Sequence, residues 1–131
     1  MGQQQLLLIV LGVIIVGIAV VVGINLFNAN AESSTQDSIV SQGTNLGAMA
    51  QQYYKKPTAM GGGGNSYAGF NTGPWTTIPA ALKTSTDATW VITGTPDANS
   101  IVFTATPIDQ NYNSWSVKTT VTPTGIISAV Q

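Results

Sequence analysis

One short stretch of this sequence begins like a metal-binding loop. Asp109-Gln110-Asn111-Tyr112-Asn113 follows the D-x-N-x-N start of a calcium loop, whose carboxylate and amide oxygens would be the ligands. Such a loop also needs a glycine at its sixth position, for a sharp turn, and a bidentate glutamate at its twelfth. Ser114 and Thr120 occupy those positions. The pattern therefore predicts a plain turn, and we expect no bound metal and no cofactor.

Composition restricts the other chemistry that this chain could perform. The 131 residues include no histidine and no cysteine. The usual general base, the commonest transition-metal ligand, the thiol nucleophile and any disulfide are therefore missing. The five carboxylates are scattered, and Asp97 and Asp109 lie in turn sequences, so we do not expect an enzyme. With four basic residues and a net charge of −1, binding of nucleic acid has no electrostatic basis.

An apolar run from Leu6 to Phe27 dominates the sequence. As an α-helix it would be about 33 Å long, which matches a bilayer core of about 30 Å. Such a segment has to lie in lipid, be cleaved off, or be covered by other chains. Ala29-Asn30-Ala31 fits a signal-peptidase site, but the run exceeds the roughly 7–15 apolar residues of a signal peptide and no lysine or arginine precedes it. We expect the segment to be retained.

A polar but helical pattern continues the apolar run. Apolar and small residues recur at spacings of three and four, which predicts one narrow buried stripe. Pro57 disfavours helix at the residue before it, so we expect one helix from about residue 3 to about residue 55. Its weakest point is 25–34, where asparagine and serine lower helix propensity. The stripe consists of Ile39, Gly43, Leu46, Ala50 and Tyr53.

The C-terminal part of the sequence alternates short β patterns with turn signals. We predict strands at 88–93, 100–106, 115–121 and 126–130, which form an antiparallel meander with one apolar face. A sheet this small needs a covering partner, and the helical stripe is the obvious one. We expect Tyr67, Phe70 and Trp75 to add to the same small core. The residues predicted to pack the helix on the sheet are Ile39, Leu46, Tyr53, Trp90 and Trp115.

These patterns predict an α+β fold in which a long N-terminal helix packs on a four-stranded antiparallel sheet. A glycine run at 61–64 separates the helical part from the strands and is interpreted as a flexible joint. The predicted parts are an apolar helix at 1–31, an amphipathic helical continuation at 32–56, a glycine-rich loop at 57–75 and an antiparallel β head at 76–131.

Small residues gather on one side of the apolar helix. Gly12, Ala19 and Gly23, called here the small-residue face, lie within about 40° of one another on a helical wheel, and Gln5 and Asn30 share that side. Small residues allow helix backbones to approach closely, although glycine is also common in ordinary membrane helices. The full set that we predict to form an assembly interface is Gln5, Leu8, Leu11, Gly12, Ile15, Val16, Ala19, Val22, Gly23, Leu26 and Phe27.

The order of these parts resembles the type IV pilin family. In local sequence the resemblance is clearest at 6–23 and in the strand-turn-strand run from 103 to 125. It implies a subunit whose first helical half is anchored in the inner membrane before assembly and becomes the core of an extracellular filament afterwards. The implied partners are other copies of the chain, membrane lipid and a pilus assembly machinery.

Three features depart from that family's pattern. Type IV pilins usually have a basic leader that ends in glycine, whereas Met1-Gly2 precedes Gln3 here. The family's acidic residue at the fifth mature position is replaced by Gln5, or by Leu7 if counting starts at Gln3. The frequent disulfide loop near the C-terminus has no counterpart, because the chain has no cysteine. Packing and amide contacts would therefore have to set the register between subunits.

The sequence supports a structural function first. We expect a pilin-like subunit at the cell surface that polymerises into an extracellular filament from a membrane-inserted precursor. The alternatives are a single-pass, membrane-anchored extracytoplasmic binding module and a pseudopilin of a secretion system.

Overall fold

A computed structural model describes residues 2–109 and 114–131. Helix α1 runs unbroken from Gly2 to Lys55. A 3-10 helical turn (Thr58–Met60) and two single-turn α-helices follow, α2 (Pro74–Thr77) and α3 (Ala80–Lys83). The four strands are β1 (Ala88–Ile92), β2 (Ile101–Pro107), β3 (Val117–Thr122) and β4 (Gly125–Val130). By their internal contacts the residues divide into one unit that ends at Ser34 and a second unit, Thr35–Gln131.

The strands form one antiparallel sheet in the order β1-β2-β3-β4. Side chains alternate between its two faces, so that Val117, Thr119 and Val121 are buried while Lys118 and Thr120 are not. The buried face packs against the part of α1 that lies in the second unit, with Ile39, Leu46 and Ala50 in the shared core. The predicted α+β fold, a long N-terminal helix on a four-stranded antiparallel sheet, is confirmed.

The ends of the elements differ slightly from the prediction. Strand β3 begins at Val117 rather than Trp115, although Ser116 still exchanges two backbone hydrogen bonds with Gln131. The helices α2 and α3 are not predicted by the sequence analysis, because four residues are too few to show a helical period. Their local signals are prolines, Pro74 at the start of α2 and Pro79 just before α3.

The glycine run after α1 caps that helix. Its backbone N–H groups reach back to the last carbonyls, with Gly63 N to Tyr53 O at 2.8 Å and Gly64 N to Lys56 O at 3.0 Å. Gly64 has a φ of 58°, in the left-handed region that glycine adopts without steric cost. The run therefore satisfies carbonyls that a helix end leaves unpaired, a role that its interpretation as a flexible joint leaves out.

Aromatic side chains join the 57–75 loop to the rest of the second unit. The ring of Phe70 lies 5.3 Å from that of Tyr53 and 5.9 Å from that of Phe103, both edge to face. Trp75 lies 5.5 Å from Phe103. Tyr67 is fully buried, and burial, followed by the nearby Tyr54, raises the pKa of its hydroxyl. The expected contribution of Tyr67, Phe70 and Trp75 to the core is confirmed.

One turn of the sheet is held by an ionised side chain. Asp97 Oδ1 accepts hydrogen bonds from the backbone N–H groups of Asn99 and Ser100, both at 2.7 Å, and these bonds lower the pKa of the carboxyl group. A lowered pKa means that the carboxylate stabilises the folded chain above the usual aspartate pKa. That contribution is lost as the pH falls through the lower pKa of the folded state.

We therefore expect Asp97→Asn to lower the melting temperature of the second unit by a few degrees at pH 6. As the pH falls below the usual aspartate pKa and through the lowered pKa of the folded state, the difference in melting temperature between the two chains should close. Thermal unfolding followed by circular dichroism across this pH range measures the difference. A gap between the two chains that stays constant throughout this fall in pH would contradict the assigned role of the charge.

Candidate assembly surface

The apolar segment of α1 is exposed along its whole length. Its large apolar side chains, from Leu6 to Phe27, are between 52% and 73% exposed. The segment is long and apolar enough to cross a membrane, and the residues that the structure describes bury none of its most apolar stretch. The described residues therefore offer this surface no cover, which leaves the three alternatives of the sequence analysis: lipid, removal of the segment, or other chains.

Ten of the eleven residues predicted for the assembly interface lie on this segment, and Gln5 directly precedes it. Ten of the eleven are exposed and Gly12 is half-buried. They are Gln5, Leu8, Leu11, Gly12, Ile15, Val16, Ala19, Val22, Gly23, Leu26 and Phe27. Leu8 and Leu11 also border, with Gln4 and Leu7, a shallow apolar depression near the start of the helix.

The glycines of this segment pack against no other part of the chain within residues 2–109 and 114–131. A Cβ atom added at Gly12, Gly17 or Gly23 would meet no atom within 4 Å, apart from the local helix backbone. Glycine in a helix interior lowers stability by roughly 0.5–1 kcal/mol relative to alanine, and no packing contact of these glycines within the described fold offsets that loss. If these glycines have a packing role, it lies in contacts with another molecule.

Helix α1 is fastened to the sheet by close contacts at two other glycines. A Cβ atom on Gly43 would lie 2.5 Å from Thr119 Oγ1 and 2.7 Å from the ring of Trp90. One on Gly47 would lie 2.9 Å from Ile126 Cδ1. The spacing Gly43-x-x-x-Gly47 places both glycines on one face of the helix. The predicted stripe omits Gly47, although this spacing in the sequence indicates that it lies beside Gly43.

Polar contacts flank that apolar junction. The Oε1 atom of Gln42 accepts hydrogen bonds from Ser85 Oγ at 2.9 Å and from Trp90 Nε1 at 3.2 Å. Ser38 Oγ donates to Asp87 Oδ2 at 2.8 Å. The partners of Gln42 and Ser38 lie on the sheet or just before it. These hydrogen bonds therefore limit how far α1 can slide or rotate on the sheet. No periodicity in the sequence indicates them.

The five residues predicted to pack the helix on the sheet come together in the structure. Ile39, Leu46, Trp90 and Trp115 belong to one buried core, and Tyr53 is partly buried against it. The second part of α1 is therefore held by the rest of the second unit through apolar packing, close backbone approach and hydrogen bonds.

Comparison with models of protein families, with curated proteins and with solved structures found no significant match. A function for this chain therefore has to be argued from its own residues.

A cavity also lies in the second unit, lined by residues of α1 and of the segment that follows it. It has a volume of about 330 Å³ and opens beside the end of α1. Met49, Phe70 and Ile78 form much of its apolar wall, and Lys56 supplies the one charged group of its lining. Such a lining suits a small, mainly apolar molecule.

Acidic residues form no metal-binding cluster in the part of the chain that the structure describes. Gln110 to Asn113, which lie in the stretch that begins like a calcium loop, are outside the described residues.

Proposed function

We propose that this chain is a pilin-like structural subunit that polymerises into an extracellular filament through its apolar N-terminal helix. The observation that carries the proposal is the exposure of the whole segment from Leu6 to Phe27 on a helix whose other end is fastened to a folded β head. Fully burying one such side chain contributes about 1.5–3 kcal/mol, so covering the segment supplies a gross driving force of tens of kcal/mol. Conformational entropy offsets much of it.

Two features favour other copies as the eventual cover. The small-residue face allows close helix packing, and Gly12 and Gly23 have no packing role within the described chain. Charged residues are 7% of the sequence, so identical copies repel one another weakly when they lie side by side. A contact between two different surfaces of identical copies, repeated without closing, produces a helical polymer. Membrane lipid would cover the helix before assembly.

A membrane-anchored extracytoplasmic binding module is the second candidate. The cavity beside the end of α1 favours it, because a fixed anchor would leave that cavity free for a ligand. A pseudopilin of a secretion system would share the helix-in-filament mechanism and differ in the length of the polymer.

Electron microscopy of sheared surface material distinguishes these candidates. Cells that express the chain are sheared, the released fraction is examined by negative stain, and the same fraction is analysed by mass spectrometry. We expect filaments that contain peptides from both the apolar helix and the β head, absent from cells without the chain. The mass of the N-terminal peptide also shows whether Met1-Gly2 is removed. Recovery of the chain only from detergent-extracted membranes would overturn the filament proposal and support the anchored module.

A further inference from the structure

Two opposite charges lie on the same side of α1, on the part that belongs to the second unit. Asp37 and Lys55 are separated by 18 residues, which is five whole helical turns, or about 27 Å along the axis. Both side chains are exposed, and neither has a hydrogen-bond or ion-pair partner within residues 2–109 and 114–131. The two groups are too far apart to pair within one chain.

The face that carries these charges points away from the sheet. Ile39, Leu46 and Ala50 lie on the opposite, buried side of the helix. Between the two charges the face presents Ser41, Thr44 and Ala48, all exposed and uncharged. The hydroxyl of Thr44 bonds to Val40 O of its own helix at 3.1 Å and so does not project outward. A parallel helix shifted by 18 residues could therefore lie along part of this face and bring one opposite charge to the level of Lys55 or of Asp37.

We propose that Asp37 of one copy pairs with Lys55 of a second copy, and that this pair sets the axial register of the polymer. The inference rests on the proposed filament function. Two parallel copies shifted by about 27 Å along the helix axis bring the two groups to the same level. The contact is head to tail, so every interior copy uses its Asp37 toward one neighbour and its Lys55 toward another, and the series does not close.

The charge arrangement identifies the second copy as the occupant of this face. The face carries a negative charge, Asp37, at one end and a positive charge, Lys55, at the other. When an identical face is shifted along it, Asp37 of one copy lies opposite Lys55 of the other. An exposed ion pair in water contributes little, but a pair from which assembly excludes water becomes sensitive to the loss of either partner, because the remaining charge is then buried alone. We therefore expect the pair to determine the axial register between two copies more than the affinity of one copy for another.

Charge reversal and its rescue test the pairing. We expect Asp37→Lys and Lys55→Asp each to reduce filament yield by about tenfold, since each places like charges at the contact. The double variant Asp37→Lys/Lys55→Asp restores the pair in reverse and should recover most of the yield. The matched control is Glu32→Lys/Lys56→Asp, the same exchange of charges at an acidic and a basic residue 24 positions apart, of which Lys56 lies just past the end of α1. We expect its single variants to assemble like the unmodified chain. Failure of the Asp37/Lys55 double variant to recover would overturn the proposal.

Cross-linking gives a second, geometric readout. Because the chain has no cysteine, Asp37→Cys/Lys55→Cys introduces the only two thiols. A short bismaleimide applied to assembled filaments should produce a ladder of covalent multimers, whereas Glu32→Cys/Lys56→Cys should produce monomers. If the unmodified chain forms no filaments, the filament proposal and the register proposal both fail. If filaments form but neither the ladder nor the rescue is seen, the register proposal alone fails.

Discussion

Gly43→Val is expected to lower the free energy of unfolding of the second unit by about 3 kcal/mol. A Cβ atom at this position already lies 2.5 Å from Thr119 Oγ1 and 2.7 Å from the Trp90 ring, and valine adds two further methyl groups. Thr119 and Trp90 are themselves buried, so they have little room to move. The helix has to lift from the sheet, which weakens the Gln42 hydrogen bond to Trp90 as well.

Denaturant unfolding of the full chain in detergent micelles measures this effect. Trp90 and Trp115 are 2% and 8% exposed, so their fluorescence reports loss of the core. The matched control is Thr44→Val, which introduces the same side chain one residue further along, on the exposed side of α1. Its stability should stay within about 0.5 kcal/mol of the unmodified chain. Equal stability of the two variants would mean that Gly43 does not contact the sheet.

The sequence predicts most of this fold because its patterns are local. Alternation at 101–106 and 117–121 defines two strands to within one or two residues, and the absence of proline before Pro57 allows one long helix. What periodicity does not determine is how the helix is rotated and shifted on the sheet. The hydrogen bonds of Gln42 depend on that docking, so no local pattern predicts them.

The features of the candidate assembly surface are likewise predicted only in part by the sequence. Composition alone predicts an apolar helix that cannot stay exposed to water. The structure adds that the described part of the chain buries none of the most apolar stretch of that helix. The sequence does not by itself distinguish glycines needed for folding from glycines that are free of contacts. The structure does, because Gly43 and Gly47 contact the sheet whereas Gly12, Gly17 and Gly23 have open space around them. Those three positions can therefore be changed without steric conflict within the chain.

Gly12→Leu and Gly23→Leu are each expected to reduce filament yield by about tenfold, which corresponds to about 1.4 kcal/mol per subunit. Both positions lie on the small-residue face, where a leucine would hold neighbouring helices apart and remove the close contacts that glycine allows. Leucine is also a better helix former than glycine and is more apolar, so membrane insertion of the precursor should be unchanged or stronger.

Gly17→Leu is the matched control for this experiment. Gly17 belongs to the same apolar segment and has the same open surroundings, but it lies about 140° away from the centre of the small-residue face on a helical wheel of 100° per residue. The three variants therefore make the same chemical change and differ in the side of the helix that carries it. Filament yield is measured in the sheared fraction and precursor in the membrane fraction of the same cells.

The pattern among the three variants separates packing from hydrophobicity. A defect at Gly12 and Gly23 with normal yield at Gly17, at equal precursor levels, indicates a polymer in which one side of the helix sets the distance between subunits. Equal defects in all three would mean that the whole circumference of the helix is packed, so the small-residue face would have no special role. Equal yields in all three would mean that the helices lie too far apart for a side chain of this size to matter. Neither of those results fits a subunit interface built on Gly12, Ala19 and Gly23.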